Sequence, residues 1–462
     1  MEIFATIVML AWIPAVLLLF AVLPPRRAVI IAFLAAWLFL PMVAYQLPFL
    51  PDYTKMSATC AGVFLGAMLF DGKRILSFVP RWVDLPIIVF CVCPFASSMV
   101  NGLGIWDGVS GVLSNTVTWG MPYFVGRIYF NSAQALRELA ISIFIGGLLY
   151  VPLCLFELRM SPVLHGMVYG FSPRGAQMRF GGWRPNVFMD GGLPVGLWMT
   201  GASLVGFWLW RTGALKKLLG LSLDWMVCPL MITTVLCRSS GALVLLIMAV
   251  AVLWFTAVTR SRIALACLIA AAPVYVVLRT SGIWHGEELV AAARLVDKDR
   301  AGSLKFRLDN EDILVAKGLQ RPIFGWGGWG RGRVYDEWGG DVSVTDGRWV
   351  IELGAHGLVG VISLFGALIL PLTLLVRRRS PRSLLSPALA PALVLGILVV
   401  LYAIDSLPNA MANPIYMLAG GAVTALAVSR NALRAPTQHG ESGAPGPMPD
   451  AIPLRRLHPG SV

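Results

Sequence analysis

The chain has 462 residues, of which 57% are hydrophobic and only 13% charged, and its mean hydropathy is +0.75. Soluble globular domains carry about 25% charged residues, so this composition excludes an ordinary soluble domain and indicates a protein that lies in lipid. The net charge of +13 does not indicate nucleic-acid binding, because the basic residues lie in short clusters between apolar segments, as membrane topology requires.

Apolar segments repeat along the chain, and many have the roughly 20 residues that a helix needs to cross a bilayer. The first segment, Ile3–Leu23, has no basic residues before it and runs into Pro24-Pro25-Arg26-Arg27, which is typical of a first span or signal anchor. The predicted spans are residues 3–23, 28–45, 57–70, 84–100, 109–130, 137–157, 186–210, 222–237, 240–258, 263–279, 351–376, 385–405 and 410–429.

Basic residues occupy every second joint between the predicted spans, and the other short joints contain little beyond Lys55. Because basic joints stay in the cytoplasm, the N-terminus and the long joint at 280–350 are expected outside and the tail inside. The basic joints contain Arg26 and Arg27; Lys73, Arg74 and Arg81; Arg137; Arg211, Lys216 and Lys217; Arg260 and Arg262; Arg377, Arg378, Arg379 and Arg382.

These patterns predict an all-α fold, a polytopic transmembrane helical bundle of about 12–13 spans with one large periplasmic loop. The expected parts are an N-terminal transmembrane bundle (1–279), the loop (280–350), C-terminal transmembrane helices (351–430) and a disordered cytoplasmic tail (431–462) rich in Pro, Gly and Ser. The seven cysteines contain no CxxC pair and none lies in the long loop, so the sequence predicts neither a disulfide framework nor a zinc site.

The long loop is not of low complexity, which favours an ordered and functional segment. A helix is predicted around Ser303–Leu319 and is ended by Pro322, and a segment rich in Trp and Gly follows. Trp326 and Trp329 in that segment are expected either to stack on sugar rings or to anchor the loop at the membrane interface.

The outer joints contain many arginines, which the positive-inside rule does not explain. Guanidinium groups bind phosphate through two parallel hydrogen bonds and stay charged in a low dielectric, so the cluster indicates a lipid-linked pyrophosphate ligand. The alternative is local pairing with the Asp and Glu residues of the same loop and, for Arg238 between two apolar spans, snorkelling to the interface. These arginines are Arg159, Arg174, Arg179, Arg184, Arg238, Arg294, Arg300, Arg307, Arg321, Arg331, Arg333 and Arg348.

The outer side offers few groups that can accept a proton. Asp346 lies just before the span that begins near Ile351, and His356 lies past the expected start of that helix. An imidazole is chemically the better base near neutral pH, but a histidine at such a place is more often interfacial, so Asp346 is the first candidate and His356 the second. Asp190, predicted within an apolar span, is either functional or a partner of a nearby arginine.

The order of these features resembles the O-antigen ligase and Wzy-type O-antigen polymerase superfamily. The loop of that family runs from an Arg in a helix through a Pro-x-x-Gly-x-Gly turn and a His-Asn pair to a Gly-x-x-Gly start of the next span. The corresponding residues here are Arg307, Pro322-Ile323-Phe324-Gly325-Trp326-Gly327, Asp346-Gly347 and Gly354-Ala355-His356-Gly357-Leu358-Val359-Gly360. Upstream segments that are loosely similar are Arg179-Phe180-Gly181-Gly182, Pro185-Asn186 and Arg238-Ser239-Ser240-Gly241-Ala242-Leu243.

The resemblance implies a glycosyltransferase at the periplasmic face of the bacterial cytoplasmic (inner) membrane, in O-antigen or exopolysaccharide assembly. Its donor is expected to be a glycan on undecaprenyl pyrophosphate, and its acceptor another lipid-linked glycan or a lipid core sugar. Asp346 and Gly347 stand where the family has its His-Asn pair, which favours a polymerase over a ligase. The expected catalytic residues are Asp346 or His356, and the expected substrate-binding residues are Arg184, Arg238, Arg307, Arg348, Trp326 and Trp329.

No cofactor or metal is expected, because arginines can neutralise a diphosphate, and no nucleic-acid partner is expected. Two other classes of protein remain open: a transporter or flippase of lipid-linked glycan, and a non-catalytic assembly partner that has lost its histidine. A flippase is expected to carry charge along a path through its spans, whereas the ionisable residues here gather at one face.

Overall fold

The computed structural model describes residues 2–47, 51–296 and 298–429, and the chain is mostly helical over these residues. The predicted tail at 431–462 lies outside the described residues. The helices are α1 (Glu2–Val22), α2 (Pro25–Phe39), α3 (Lys55–Leu76), α4 (Leu85–Val100), α5 (Ile105–Asn115), α6 (Met121–Tyr129), α7 (Ala133–Met160), α8 (Leu164–Tyr169), α9 (Gly192–Arg211), α10 (Asp224–Leu236), α11 (Ser240–Thr259), α12 (Ile263–Thr280), α13 (Glu287–Val296), α14 (Lys298–Gly318), α15 (Arg348–Arg378), α16 (Pro381–Leu384), α17 (Ala390–Asp405) and α18 (Pro414–Val428).

Three small antiparallel hairpins close joints between helices. Each pairs two strands of two residues: β1 (Ala44–Tyr45) with β2 (Tyr53–Thr54), β3 (Met178–Arg179) with β4 (Gly182–Trp183), and β5 (Lys217–Leu218) with β6 (Leu221–Ser222). A 3₁₀ turn (Trp82–Asp84) precedes α4, and a π-helical turn (Thr116–Gly120) joins α5 to α6.

Seven helices among the described residues are long and apolar enough to cross a membrane, so by length and composition this is a membrane protein. They are Ile3–Val22, Trp82–Val100, Ala133–Met160, Gly192–Arg211, Ser240–Thr259, Ile263–Thr280 and Arg348–Arg378. The predicted all-α character is thereby confirmed. Three further apolar helices, α10, α17 and α18, are shorter.

The seven long helices are fewer than the 12–13 predicted spans, because several predicted segments correspond to helices that are short, kinked or interrupted. Segments 28–45 and 222–237 correspond to α2 and α10, of 15 and 13 residues, and segment 57–70 lies in α3, which is kinked at Asp71. The predicted segment 109–130 is divided among α5, the π-helical turn and α6, where Pro122 lacks a backbone N–H. The last two predicted spans correspond to α17 and α18, which are shorter because they end at capped or polar joints. Both are buried almost throughout, as expected for helices that are apolar on every side and covered by protein.

A close helix crossing joins α6 to the buried α18 through two glycines. A methyl group added at Gly126 would overlap the carbonyl oxygen of Leu418, and one added at Gly421 would overlap that of Tyr123. Small residues at such crossings let the two backbones approach each other and so permit the van der Waals packing that helps helices associate in lipid.

Gly126→Ala is therefore expected to lower the free energy of unfolding by about 1–3 kcal/mol, the usual range for overpacking a filled site. The measurement is the midpoint of thermal unfolding of the purified protein in detergent. Gly241→Ala is the matched control, because nothing lies within 4 Å of a Cβ added at that helical glycine. Equal midpoints for the two variants would contradict the close crossing.

The long helix α15 is kinked at Gly357, whose φ of 65° and ψ of −159° are not helical. Residues 322–327 of the loop fill the resulting gap in hydrogen bonding. The amides of Trp326 and Gly327 donate to the carbonyls of Gly354 and Ala355, at 2.8 and 3.0 Å, and the amides of Leu358 and Val359 donate to the carbonyls of Pro322 and Ile323, at 2.7 and 3.2 Å. The Pro-x-x-Gly-x-Gly segment thus joins the loop to the kinked helix.

The helix predicted near Ser303–Leu319 is confirmed as α14, which ends before Pro322 as expected. Its neighbour α13 packs against it, and α14 in turn contacts α12 and α15. The loop therefore lies against the ends of the bundle helices, and residues 319–347 form irregular structure between α14 and α15.

Candidate functional site

A cavity of about 560 Å³ lies where the ends of several helices meet the segments before α9 and α15 and the α17–α18 joint. Its charged lining residues are three cations and two carboxylates: Lys55, Arg174, Arg307, Asp190 and Asp346. Apolar side chains such as Trp37 and Met411 form much of the remaining wall. We call it the Asp346 cavity. It brings together residues from widely separated parts of the sequence.

Two of the predicted site residues, Arg307 and Asp346, contact each other in this cavity. Arg307 extends from α14, and its Nε lies 3.2 Å from Oδ2 of Asp346. Its Nη1 lies 3.4 Å from the Pro408 carbonyl and 3.5 Å from Oδ1 of Asn409. Both side chains of the pair remain partly exposed, so a ligand that enters the cavity can reach either group.

Lys55, another cation of the cavity, is the first residue of α3 and is buried, with 4% of its surface exposed. Its ammonium donates to the carbonyls of Trp37 (3.2 Å) and Phe188 (3.3 Å) and lies 5.1 Å from the centre of the Trp37 ring. An ammonium has three protons, so these two carbonyls leave one for a ligand. Burial lowers the pKa of Lys55 to about 7, and a nearby anion favours the charged form, which makes Lys55 a candidate anion-binding residue.

Asp190, predicted within a span, lies in the segment just before α9 instead, and its side chain is half exposed. Its Oδ1 is 3.7 Å from Nε of Arg174. An exposed pair at this distance contributes little to stability, commonly below about 1 kcal/mol. Both side chains can therefore move to contact a ligand, and they add one cation and one carboxylate to the cavity wall.

A buried ion pair anchors α14, and so Arg307, to the bundle. Arg279 at the end of α12 is 2% exposed; its guanidinium lies 3.3 Å from Glu311 and 3.0 Å from Asp312, and it donates to the Leu308 carbonyl at 2.8 Å. Burial raises the pKa of Glu311, while hydrogen bonds from Tyr275 and Trp349 and the charge of Arg279 oppose the shift. Glu311 lies one helical turn after Arg307, so this anchor sets the position of Arg307 over the cavity.

Arg279→Gln is expected to release α14 and to destabilise its docking by about 3–5 kcal/mol, because two carboxylates would lose a buried partner. Limited proteolysis of the loop is the direct measurement, with faster cleavage expected between α13 and α15. Arg294→Gln, a neutralisation on the exposed face of α13, is the matched control. Identical cleavage rates would show that the ion pair does not hold the helix.

Arg348 and His356 both contact the buried carboxylate of Glu352. Nη2 of Arg348 is 2.7 Å from Oε1, and Nδ1 of His356 is 2.6 Å from Oε2. The three residues follow each other at four-residue spacing on one face of α15, and the Arg348 guanidinium stacks 4.9 Å from the Trp119 ring centre. A carboxylate that orients one imidazole nitrogen leaves the other for proton transfer, so His356 remains the second candidate base.

Two other predicted phosphate ligands, Arg184 and Arg238, lie around the β3–β4 hairpin. Nη1 of Arg238 donates to the carbonyls of Arg179 and Phe180, both at 2.6 Å. Arg184 is buried, and its Nη2 donates to the hydroxyl of Ser239 at 3.0 Å. Through these contacts both arginines stabilise the hairpin region. Their role as ligands of a phosphate stays a prediction.

The two predicted sugar-stacking tryptophans lie in different surroundings. Trp326 donates its indole N–H to the Lys317 carbonyl at 2.9 Å, and the cations of Lys317 and Arg321 lie 3.9 and 4.4 Å from its ring centre. Trp329 is 84% exposed. The ring of Trp329 is therefore the more accessible of the two to a ligand at the surface.

Sequence reasoning missed three residues that the fold brings to these places: Lys55 and Asn409 in the Asp346 cavity, and Glu352 within α15. Lys55 had a signal, since it is the exceptional basic residue among joints expected to lack charge. Glu352 could also have been identified from the sequence, because a carboxylate four residues from both Arg348 and His356 lies on the same helical face. No sequence pattern indicated Asn409, since the joint between α17 and α18 contains no recognisable motif.

No protein-family model matches this chain, and no curated protein matches it in sequence.

Proposed function

We propose that this protein is a glycosyltransferase of the bacterial cytoplasmic membrane that polymerises or transfers glycan from undecaprenyl-pyrophosphate donors at the periplasmic face. The observation that carries the proposal is the contact between Arg307 and Asp346 in a cavity that also contains Lys55 and Arg174. Clustered cations suit a diphosphate, and a carboxylate beside them suits proton abstraction from a sugar hydroxyl.

In the proposed reaction the acceptor hydroxyl oxygen bonds to the anomeric carbon of the donor, and the bond from that carbon to the diphosphate oxygen breaks. Arg307, Lys55 and Arg174 stabilise the charge that develops on the leaving undecaprenyl diphosphate. The diphosphate also competes for Arg307, which frees Asp346 from its ion pair to take the hydroxyl proton. The bond electrons leave with the diphosphate, so no redox partner is required.

The membrane orientation in this proposal follows from the basic joints and is tested with reporter fusions. Fusions at Lys217 and Arg379 are expected to report a cytoplasmic position, and fusions near Asp341 a periplasmic one. A cytoplasmic signal at Asp341 would end the proposal, because lipid-linked glycans of this kind are used on the outer face.

The reaction class is tested by the gel profile of surface polysaccharide from a deletion strain. A ladder that collapses to a single repeat indicates a polymerase, and finished polymer left on the carrier lipid indicates a ligase. Repeat units trapped inside the cell indicate the rival function of a flippase, which would use the same cavity to bind the glycan without forming a bond. An unchanged profile would exclude all three functions.

A further inference from the structure

A second and larger cavity, of about 1190 Å³, is lined by the joint after α3, the end of α6 and the end of α18. We call it the basic cavity, because Lys73, Arg74, Arg81 and Arg127 all line it. Helix α3 is kinked at Asp71, and its straight part, residues 55–70, corresponds to about 24 Å at the usual helical rise. Lys55 at its start lines the Asp346 cavity, and Lys73 near its end lines the basic cavity, so the two lie at opposite ends of the bundle.

Two of these four cations are already paired with carboxylates. Arg127 is buried and binds Asp84 through Nε and Nη2, at 2.7 and 3.1 Å. Arg74 is 3.4 Å from Asp71 and lies over the Tyr129 ring at 5.2 Å. Asp71 is the single carboxylate among the described residues that line the cavity.

Lys73 and Arg81 supply the excess positive charge. Both side chains are exposed and have no ion pair among the described residues. Arg127 also keeps Nη1 beyond its two bonds to Asp84. Positive joints set membrane orientation wherever they lie, but that requirement explains neither a buried guanidinium nor the gathering of four cations around one cavity.

From this arrangement we infer that the basic cavity binds a phosphate-bearing anion, with Lys73 and Arg81 as its main ligands. Apolar side chains on the same wall, Phe78, Val79 and Val428, suit an anion that carries an acyl chain. The phosphate belongs either to an anionic phospholipid headgroup or to a soluble phosphate, since the same cations bind both. The site is independent of the reaction proposed for the Asp346 cavity.

The test compares full-length protein in nanodiscs of phosphatidylcholine with protein in nanodiscs of an equal mixture of phosphatidylcholine and phosphatidylglycerol. The measurement is the midpoint of thermal unfolding, because a ligand that binds the folded state raises it. A separate arm adds inorganic phosphate to the phosphatidylcholine sample. A rise with phosphatidylglycerol identifies the headgroup as the ligand, and a rise with inorganic phosphate alone identifies the soluble anion.

Lys73→Gln/Arg81→Gln is expected to remove most of that rise and to weaken the apparent affinity for the effective anion by roughly tenfold or more. Lys216→Gln/Arg377→Gln removes the same charge from exposed positions outside the cavity and is expected to keep the rise. Equal rises in the two double variants, or no rise in the unmodified protein with either anion, would overturn the inference.

Discussion

Asp346→Asn is expected to lower glycan product by about 10²–10⁴-fold, the usual contribution of a general base, while the protein accumulates normally in the membrane. Asparagine keeps the shape of the side chain and can still accept a hydrogen bond from Arg307, but it cannot take the acceptor's proton. Because Asp346 is partly exposed, at 39% of its side chain, the substitution leaves no buried charge uncompensated. The measurement is the polysaccharide ladder of a deletion strain that expresses the variant.

Two companion variants make this result specific. Asp309→Asn removes an exposed carboxylate of α14 that pairs with Lys305 at 3.0 Å, and it is expected to leave the ladder unchanged. His356→Gln tests the second candidate base and is expected to keep most of the product. Loss of product in His356→Gln with full product in Asp346→Asn would transfer the role to His356, and full product in both would favour transport over catalysis.

The helical part of the fold was predictable because its signal is local. An apolar run of about 20 residues between basic joints predicts a helix wherever it occurs, and α7, α11 and α12 match the predicted spans within a few residues. Helix α9 begins later than predicted, at Gly192. The number of crossings was less predictable, because α17 and α18 are buried by neighbouring helices and the sequence does not state which apolar segments face lipid.

The candidate site was predictable only in part, because its members meet through tertiary structure. Arg307 and Asp346 were both singled out, yet their contact depends on the docking of α14 by Arg279, which no periodicity reveals. Arg238 was singled out for its place between two spans, and its partners are backbone carbonyls of a hairpin. Carbonyl groups are present at every residue, so sequence gives no means of foreseeing that such an arginine already has partners.

Arg307→Lys is expected to reduce glycan product by about 10²-fold or more, the size of effect seen when one preorganised donor to developing charge is removed. Lysine keeps the positive charge but loses the planar fork of donors that matches a diphosphate. In the structure that fork is already divided between Asp346 through Nε and the Pro408–Asn409 joint through Nη1. A lysine ammonium cannot hold these positions at once, so both the anion and the carboxylate would lose their alignment.

The control for this charge-conserving change is Arg294→Lys, made in the same loop on the exposed face of α13. It is expected to leave product unchanged, and both variants are expected to reach the membrane at normal levels because neither removes a charge. Arg238→Lys adds a second comparison. Since Arg238 binds hairpin carbonyls, we expect it to increase proteolysis of the segment 170–191 more than it lowers activity. Normal product in Arg307→Lys would remove Arg307 from the diphosphate site, and the proposed reaction would then have to rest on Lys55 and Arg174.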